Sequence, residues 1–398
     1  MSDIKSGRRT FLKGAASASA LMAAESAIAA TKPAVDRLAQ NHAIPMRPLG
    51  NTGVEVPIIH LGTSQRLDPV YDKVMHRCFK SGCYWFDTAL SYGWGASHDA
   101  VKTFIGQIGD RRKLWLTSKS GSGSPDGLLS GADDALDELG TDYLDLFLMH
   151  GIRNPNMLNR EYLKVGEKLK QSGKSRFFGF SCHDGNVVEL LNKAAKTGGI
   201  DAILFRYNFR RYGDLELNRA IDACHKAGIG MLAMKTMGSV PSDLEAVVDF
   251  RSENFTLGQA KLKSVFADER IASVVSEMDN VQRVRENIKA ATTEKSLTAE
   301  ETHQLNRLAA LTANYACNGC SHLCEKAAGG GAQIASQLRF LMYHECYDGK
   351  SKRAKELYAE LPHEACNLSA ERLNAASKVC PQGIDIAARL ERAKQVLA

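Results

Sequence analysis

From about residue 46 the chain alternates short apolar runs with longer stretches whose apolar residues recur every three or four positions. The short runs suit buried strands and the longer ones suit amphipathic helices. Arg47–Leu49 and Val54–Val56, flanking Asn51-Thr52-Gly53, predict a hairpin. Strands are then predicted at Ile58–Gly62, Tyr84–Asp87, Leu114–Ser118, Leu144–His150 and Phe177–Phe180, and further on at Ala202–Phe205, Gly230–Met234 and Ser273–Ser276. Helical patterns such as Leu128–Leu139 and Val187–Ala195 lie between them. Eight strand-then-helix units in one body predict a (β/α)8 TIM barrel rather than a doubly wound sheet.

Polar residues sit where these strands run out. Trp85-Phe86-Asp87-Thr88-Ala89-Leu90-Ser91-Tyr92-Gly93 leaves the second strand with an acid and a phenol five residues apart. Lys119 follows the third strand and His150 closes the fourth. In a barrel of this kind the chemistry lies on the loops after the strands. Reducing a carbonyl takes a hydride at carbon and a proton at oxygen. A free phenol, with a pKa of about 10, is a weak acid near neutrality. A neighbouring ammonium is expected to lower that pKa, a carboxylate to hold the ammonium charged, and an imidazole to orient the carbonyl.

The order Asp87, Tyr92, Lys119, His150, together with Asp-Thr-Ala-x-x-Tyr-Gly (87–93) and Gly-x-Ser-His (95–98), resembles the aldo-keto reductase family over roughly residues 45–313. The resemblance implies a nicotinamide dinucleotide, NADP(H) or NAD(H), bound without a Rossmann domain, and a small-molecule carbonyl or alcohol substrate. It places Ser181 and Asn208 near the nicotinamide, and Arg283, Glu286 and Asn287 at the adenosine-phosphate end. Gly121-Ser-Gly123-Ser-Pro-Asp-Gly127 lacks the spacing of a Rossmann fingerprint. Glu277 stands where the family often has a phosphate-pairing Lys. Gly-Phe-Ser-x-His (179–183) and Met-Lys-Thr-Met-Gly (234–238) are similar to an iron–sulfur-tailed subgroup, which makes Lys235 a further anion-facing candidate. Arg206, Arg210 and Arg211 cluster after the sixth strand and read as a solvent-facing basic loop.

The two ends of the 398-residue chain carry other signals. Gly7-Arg8-Arg9-Thr-Phe-Leu-Lys13, the small apolar run after it and Ala27-Ile28-Ala29 resemble a twin-arginine export signal over residues 1–30, with cleavage and a periplasmic or extracytoplasmic destination expected. The run is too short and too weakly apolar to span a bilayer, so no transmembrane segment is expected in the mature chain.

Six of the ten cysteines fall between Cys317 and Cys380. Cys317-x2-Cys320-x3-Cys324 and the distant Cys380-Pro381 resemble half of a bacterial ferredoxin motif. The expectation for residues 314–398 is therefore a small α-helical ferredoxin-like domain holding one [4Fe–4S] cluster on those four cysteines, with Gln337–His344 and Ala354–Leu361 as bracing helices. Zinc, using His322 or Cys366, and disulfides such as Cys346–Cys366 are the alternatives.

Composition changes little. The chain is 44% hydrophobic and 24% charged, and its net charge of +6 includes a surplus of two from residues 1–29. With no basic run or aromatic–basic interleaving, nucleic acid is excluded as a partner. The resulting expectation is an exported oxidoreductase with a barrel at 31–313 and a redox partner protein. The alternative is an exported electron-transfer or binding partner whose barrel no longer uses free NADPH.

Overall fold

The computed structural model describes residues 44–398 apart from Asp348. The export signal expected at 1–30 lies outside the described residues. No helix among those described is long and apolar enough to cross a membrane.

A hairpin, β1 (Met46–Pro48) and β2 (Glu55–Pro57), precedes eight parallel strands. These are β3 (Ile59–Gly62), β4 (Trp85–Asp87), β5 (Trp115–Ser120), β6 (Leu144–Met149), β7 (Ser175–Cys182), β8 (Ala202–Arg206), β9 (Gly230–Met234) and β10 (Ile271–Glu277). They pair in sequence order, and β10 returns to β3 to close the barrel. The hairpin tucks under its lower end. Asn51 N–H donates to Gly228 O at 2.7 Å, and a Cβ on Gly50, whose φ is +54°, would lie 2.2 Å from the same oxygen.

Successive strand side chains point to opposite faces, and this parity places the polar groups. Trp85, Trp115, Leu146, Leu148, Phe177 and Leu204 pack in one cluster inside the barrel, while Phe86, Leu116 and Phe147 pack outward against the helices. Counting in twos from the inner set reaches Asp87, Lys119, His150 and His183. Inside, Trp85 Nε1 donates to Thr117 Oγ1 at 2.8 Å and stacks on His60, 4.0 Å between ring centres.

Beyond the helix Ala299–Leu311 the chain forms an all-helical tail, in which Ser321–Ala327, Ile334–Cys346, Ser351–Ala359, Ala370–Lys378 and Ile386–Leu397 are the main elements. Its core is small, built on Ile334, Leu338, Ile384, Ile386 and Leu390 with Cys324. The tail docks onto the barrel mouth. Gly185 N–H donates to Gly319 O at 2.5 Å, Arg153 reaches Ser336 Oγ at 3.1 Å, and Arg206 donates to Cys317 O. The basic loop expected to face solvent is instead enclosed. Arg211 is buried and salt-bridged to Asp214, and Arg210 donates to Gly238 O and Ala309 O. The covering tail is what removes it from water.

Candidate active site

At the top of the barrel Lys119 Nζ lies 2.5 Å from Asp87 Oδ1, 2.7 Å from Thr88 O and 3.3 Å from the Tyr92 hydroxyl. Asp87 and Lys119 are both buried. His150 meets Tyr92 edge-on, 5.7 Å between ring centres. Four side chains far apart in sequence therefore converge on one mouth. Tyr92 gets there through a short 3-10 turn, Tyr92–Gly95, ending in Gly95 with φ +90°.

The electrostatics differ from the expectation in one respect. Burial raises the Tyr92 pKa well above the usual phenol value, with Asp87, Tyr343 and Glu277 adding to it. The ammonium does not lower it, because Asp87 at 2.5 Å already balances Lys119. Burial likewise lowers the pKa of Lys119 against the pull of Asp87. It also takes His150 down to about 3, helped by Lys119 and Arg339, so that imidazole is neutral near pH 7.

Two cavities meet here, of about 200 Å³ and about 310 Å³. Both are lined by Tyr92, His183, Lys235, Glu277 and Lys350, so they are lobes of one cleft. Arg283, Glu286 and Asn287 line the smaller lobe. They stand on the helix Val281–Thr292, which Asn280 caps by accepting from Arg283 N–H. Asn287 Nδ2 donates to Ser276 Oγ at 2.9 Å. Ser181 and Asn208 line neither lobe. Ser181 Oγ accepts from Gly151 N–H at 2.8 Å, and the Asn208 amide bridges Lys235 O and Arg210 N–H. Both brace the loops of the mouth.

Lys235 occupies both lobes, but its Nζ donates to the Tyr343 hydroxyl at 2.9 Å and lies 4.4 Å from that ring's centre. Glu277 is neutralised from the tail by Lys350, at 2.5 Å, and Lys350 also donates to Ser64 O at 3.0 Å. Tyr343, Arg339 and Lys350 line the larger lobe. The sequence reading found none of them, since the Gln337–His344 stretch read only as a brace. His183 appeared in a motif without a role, though its parity with Ser181 on β7 points it inward.

Residues 61–245 match the family model described as the aldo/keto reductase family. Over those residues the barrel is similar to the aldo/keto reductase family. Among its relatives, L-galactose dehydrogenase of Arabidopsis thaliana is 25% identical over 291 residues, covering 64% of this chain and 90% of that protein. An uncharacterized oxidoreductase of Bacillus subtilis, YqkF, is 24% identical over 65% of this chain and 94% of its own length. A thermostable aldo-keto reductase solved with the inhibitor epalrestat superposes with a TM-score of 0.54 at 26% identity, covering 67% of this chain and all of that one. The holo form of an aldo-keto reductase from Bacillus halodurans gives 0.57 at 21% identity over 67% and 96% of the two chains, a likeness of fold. These likenesses make the chain an oxidoreductase, and the family it resembles uses NADP(H).

All ten cysteines of the chain, six of them in the tail, are free thiols. Among the described residues no three His, Cys, Asp or Glu side chains are grouped so that they could hold a metal ion. Cys317, Cys320 and Cys324 nevertheless lie near Cys380. Burial raises all three thiol pKa values, Cys324 to about 12, and the proximity of Cys380 raises each further. Gly319 N–H donates to Cys317 Sγ at 3.3 Å.

Proposed function

We propose that the barrel reduces a small carbonyl compound, or oxidises the matching alcohol, with Tyr92 as the group that exchanges the proton. The observation that carries this reading is the chain of contacts from Asp87 through Lys119 to the Tyr92 hydroxyl. When bound, the dinucleotide supplies or accepts the hydride at the carbonyl carbon. Tyr92 gives its hydroxyl proton to the carbonyl oxygen as the C=O π bond breaks. Its raised pKa keeps that proton in place at rest, and the developing alkoxide is basic enough to take it. Lys119, 3.3 Å away, meets the phenolate left behind. Neutral His150 can donate one ring N–H to the carbonyl oxygen and orient it. Arg283, Glu286, Asn287 and Lys235 would hold the dinucleotide along the smaller lobe. In Tyr92→Phe, carbonyl-dependent NADPH oxidation should fall by about 10²–10⁴-fold with binding retained. Undiminished turnover would remove Tyr92 from the chemistry.

We further propose that residues 314–398 hold a [4Fe–4S] cluster on Cys317, Cys320, Cys324 and Cys380, and that residues 1–30 direct export by the twin-arginine route. The donor set fits. Cys317, Cys324 and Cys380 pack beside the apolar tail core, Cys320 lies near Cys380, and a backbone N–H is aimed at the Cys317 sulfur. When bound, it would carry single electrons. Anaerobic purification from the extracytoplasmic fraction, with iron and sulfide measured against protein, tests both proposals. About four of each per chain is expected. A colourless, zinc-loaded protein would end the cluster proposal, and an unprocessed cytoplasmic chain would end the export proposal.

A further inference from the structure

The wall of the larger lobe facing Tyr92 is made of hydrogen-bond donors. Lys235 spends one N–H on Tyr343 and keeps two. The Tyr343 hydroxyl accepts that bond and keeps its own hydrogen to give. His183 Nδ1 is buried without a partner. Arg339, one helical turn before Tyr343, stacks over Phe340 at 5.2 Å and has no carboxylate partner among the described residues. It lies close enough to His150, His183 and Tyr343 to shift the pKa of each.

The two carboxylates lining the same lobe are already engaged, Asp184 with Arg153 at 2.8 Å and Glu277 with Lys350 at 2.5 Å. Arg339 is half-buried on the cavity wall, and with no counter-charge its guanidinium is open to an anion entering the lobe. Arginine's planar fork matches a carboxylate or a phosphate. Lys235 is, besides, one of two non-glycine residues among those described with positive φ, +57°. Such a conformation persists where the surroundings hold it. Here it sets the ammonium between the two lobes.

We propose that Arg339, Lys235, Tyr343 and His183 form an oxyanion subsite, so that the substrate turned over at Tyr92 carries a carboxylate or phosphate beside its carbonyl. The proposal takes the reacting carbonyl from the reductase reading. The subsite itself stands on the cavity and its donors. Tyr343 adds a readout, because burial raises its pKa but Lys235 and Arg339 outweigh this and lower it. An anion seated on those cations would weaken their pull, so the Tyr343 phenol should ionise at higher pH when the ion is bound.

The full chain, saturated with NADP+, is titrated by calorimetry with oxalate and, separately, with inorganic phosphate, while tyrosinate absorbance is followed. Expected is binding of at least one ion and, as the pH is raised, tyrosinate absorbance that appears at higher pH with the ion bound. Affinity should drop at least tenfold in Arg339→Gln and be partly restored in Arg339→Lys. Tyr343→Phe should abolish the absorbance change. Tighter oxalate binding assigns a carboxylate substrate, and tighter phosphate binding a phosphorylated one. No binding of either ion, equal affinity in Arg339→Gln, or binding lost when NADP+ is present would overturn the subsite. The reductase reading stands or falls separately, on Tyr92→Phe in the carbonyl assay.

Discussion

At the scale of single residues, the four polar groups of the mouth were legible because strand parity is rigid. A side chain two or four positions beyond an inward tryptophan or leucine also points inward, which carries Lys119 and His150 to the cavity. Their ionisation was not legible, since it depends on how completely neighbours exclude water. His150 shows the consequence. Its pKa in the folded chain, about 3, lies below the roughly 6.5 of an unfolded histidine. As pH falls, the unfolded chain binds a proton first. The neutral, buried imidazole therefore contributes its full stability above about pH 6.5 and loses it progressively as pH falls toward about 3. In His150→Gln, the decline of Tm between pH 6.5 and 4 should be shallower than in the parent. It should not be abolished, because His60 and His183 are also held well below the usual histidine value by burial. Superimposable Tm profiles would show that the imidazole takes up its proton as readily in the folded chain as in the unfolded one.

At the scale of elements, every strand appears within two residues of its predicted ends, β7 and β10 running beyond theirs on both sides. The tail helix Ile334–Cys346 was legible as a helix, and its working face was not. Ser336, Arg339 and Tyr343 follow one another at three- and four-residue steps, and Tyr347 continues the same stripe just past the helix end. A stripe of two tyrosines, an arginine and a serine gives no hint in sequence of which barrel loop it will meet. The meeting is fixed at Gly185, where an added Cβ would lie 2.4 Å from Cys320 Cα and 2.6 Å from its N. Gly185→Ala should therefore push the cysteine loop off the β7 loop, costing about 1–3 kcal/mol. Hydrogen exchange would read this as faster exchange of the Gly185 and Cys320–Cys324 amides, with the lower barrel unchanged. Unaltered exchange there would mean that the loops separate without strain.

At the scale of the whole molecule, the barrel and its likeness to the reductases were legible, and the dependence of the cleft on the tail was not. Repeating strand–helix units advertise themselves locally, whereas Lys350 reaching Ser64 spans 286 positions of sequence that no periodicity connects. That one ammonium has a mechanical consequence. It grips a carbonyl on the loop after β3 and a carboxylate at the end of β10, where the two lobes join. Widening the join between the lobes therefore means breaking both contacts, and the tail that carries Lys350 is one wall of the doorway.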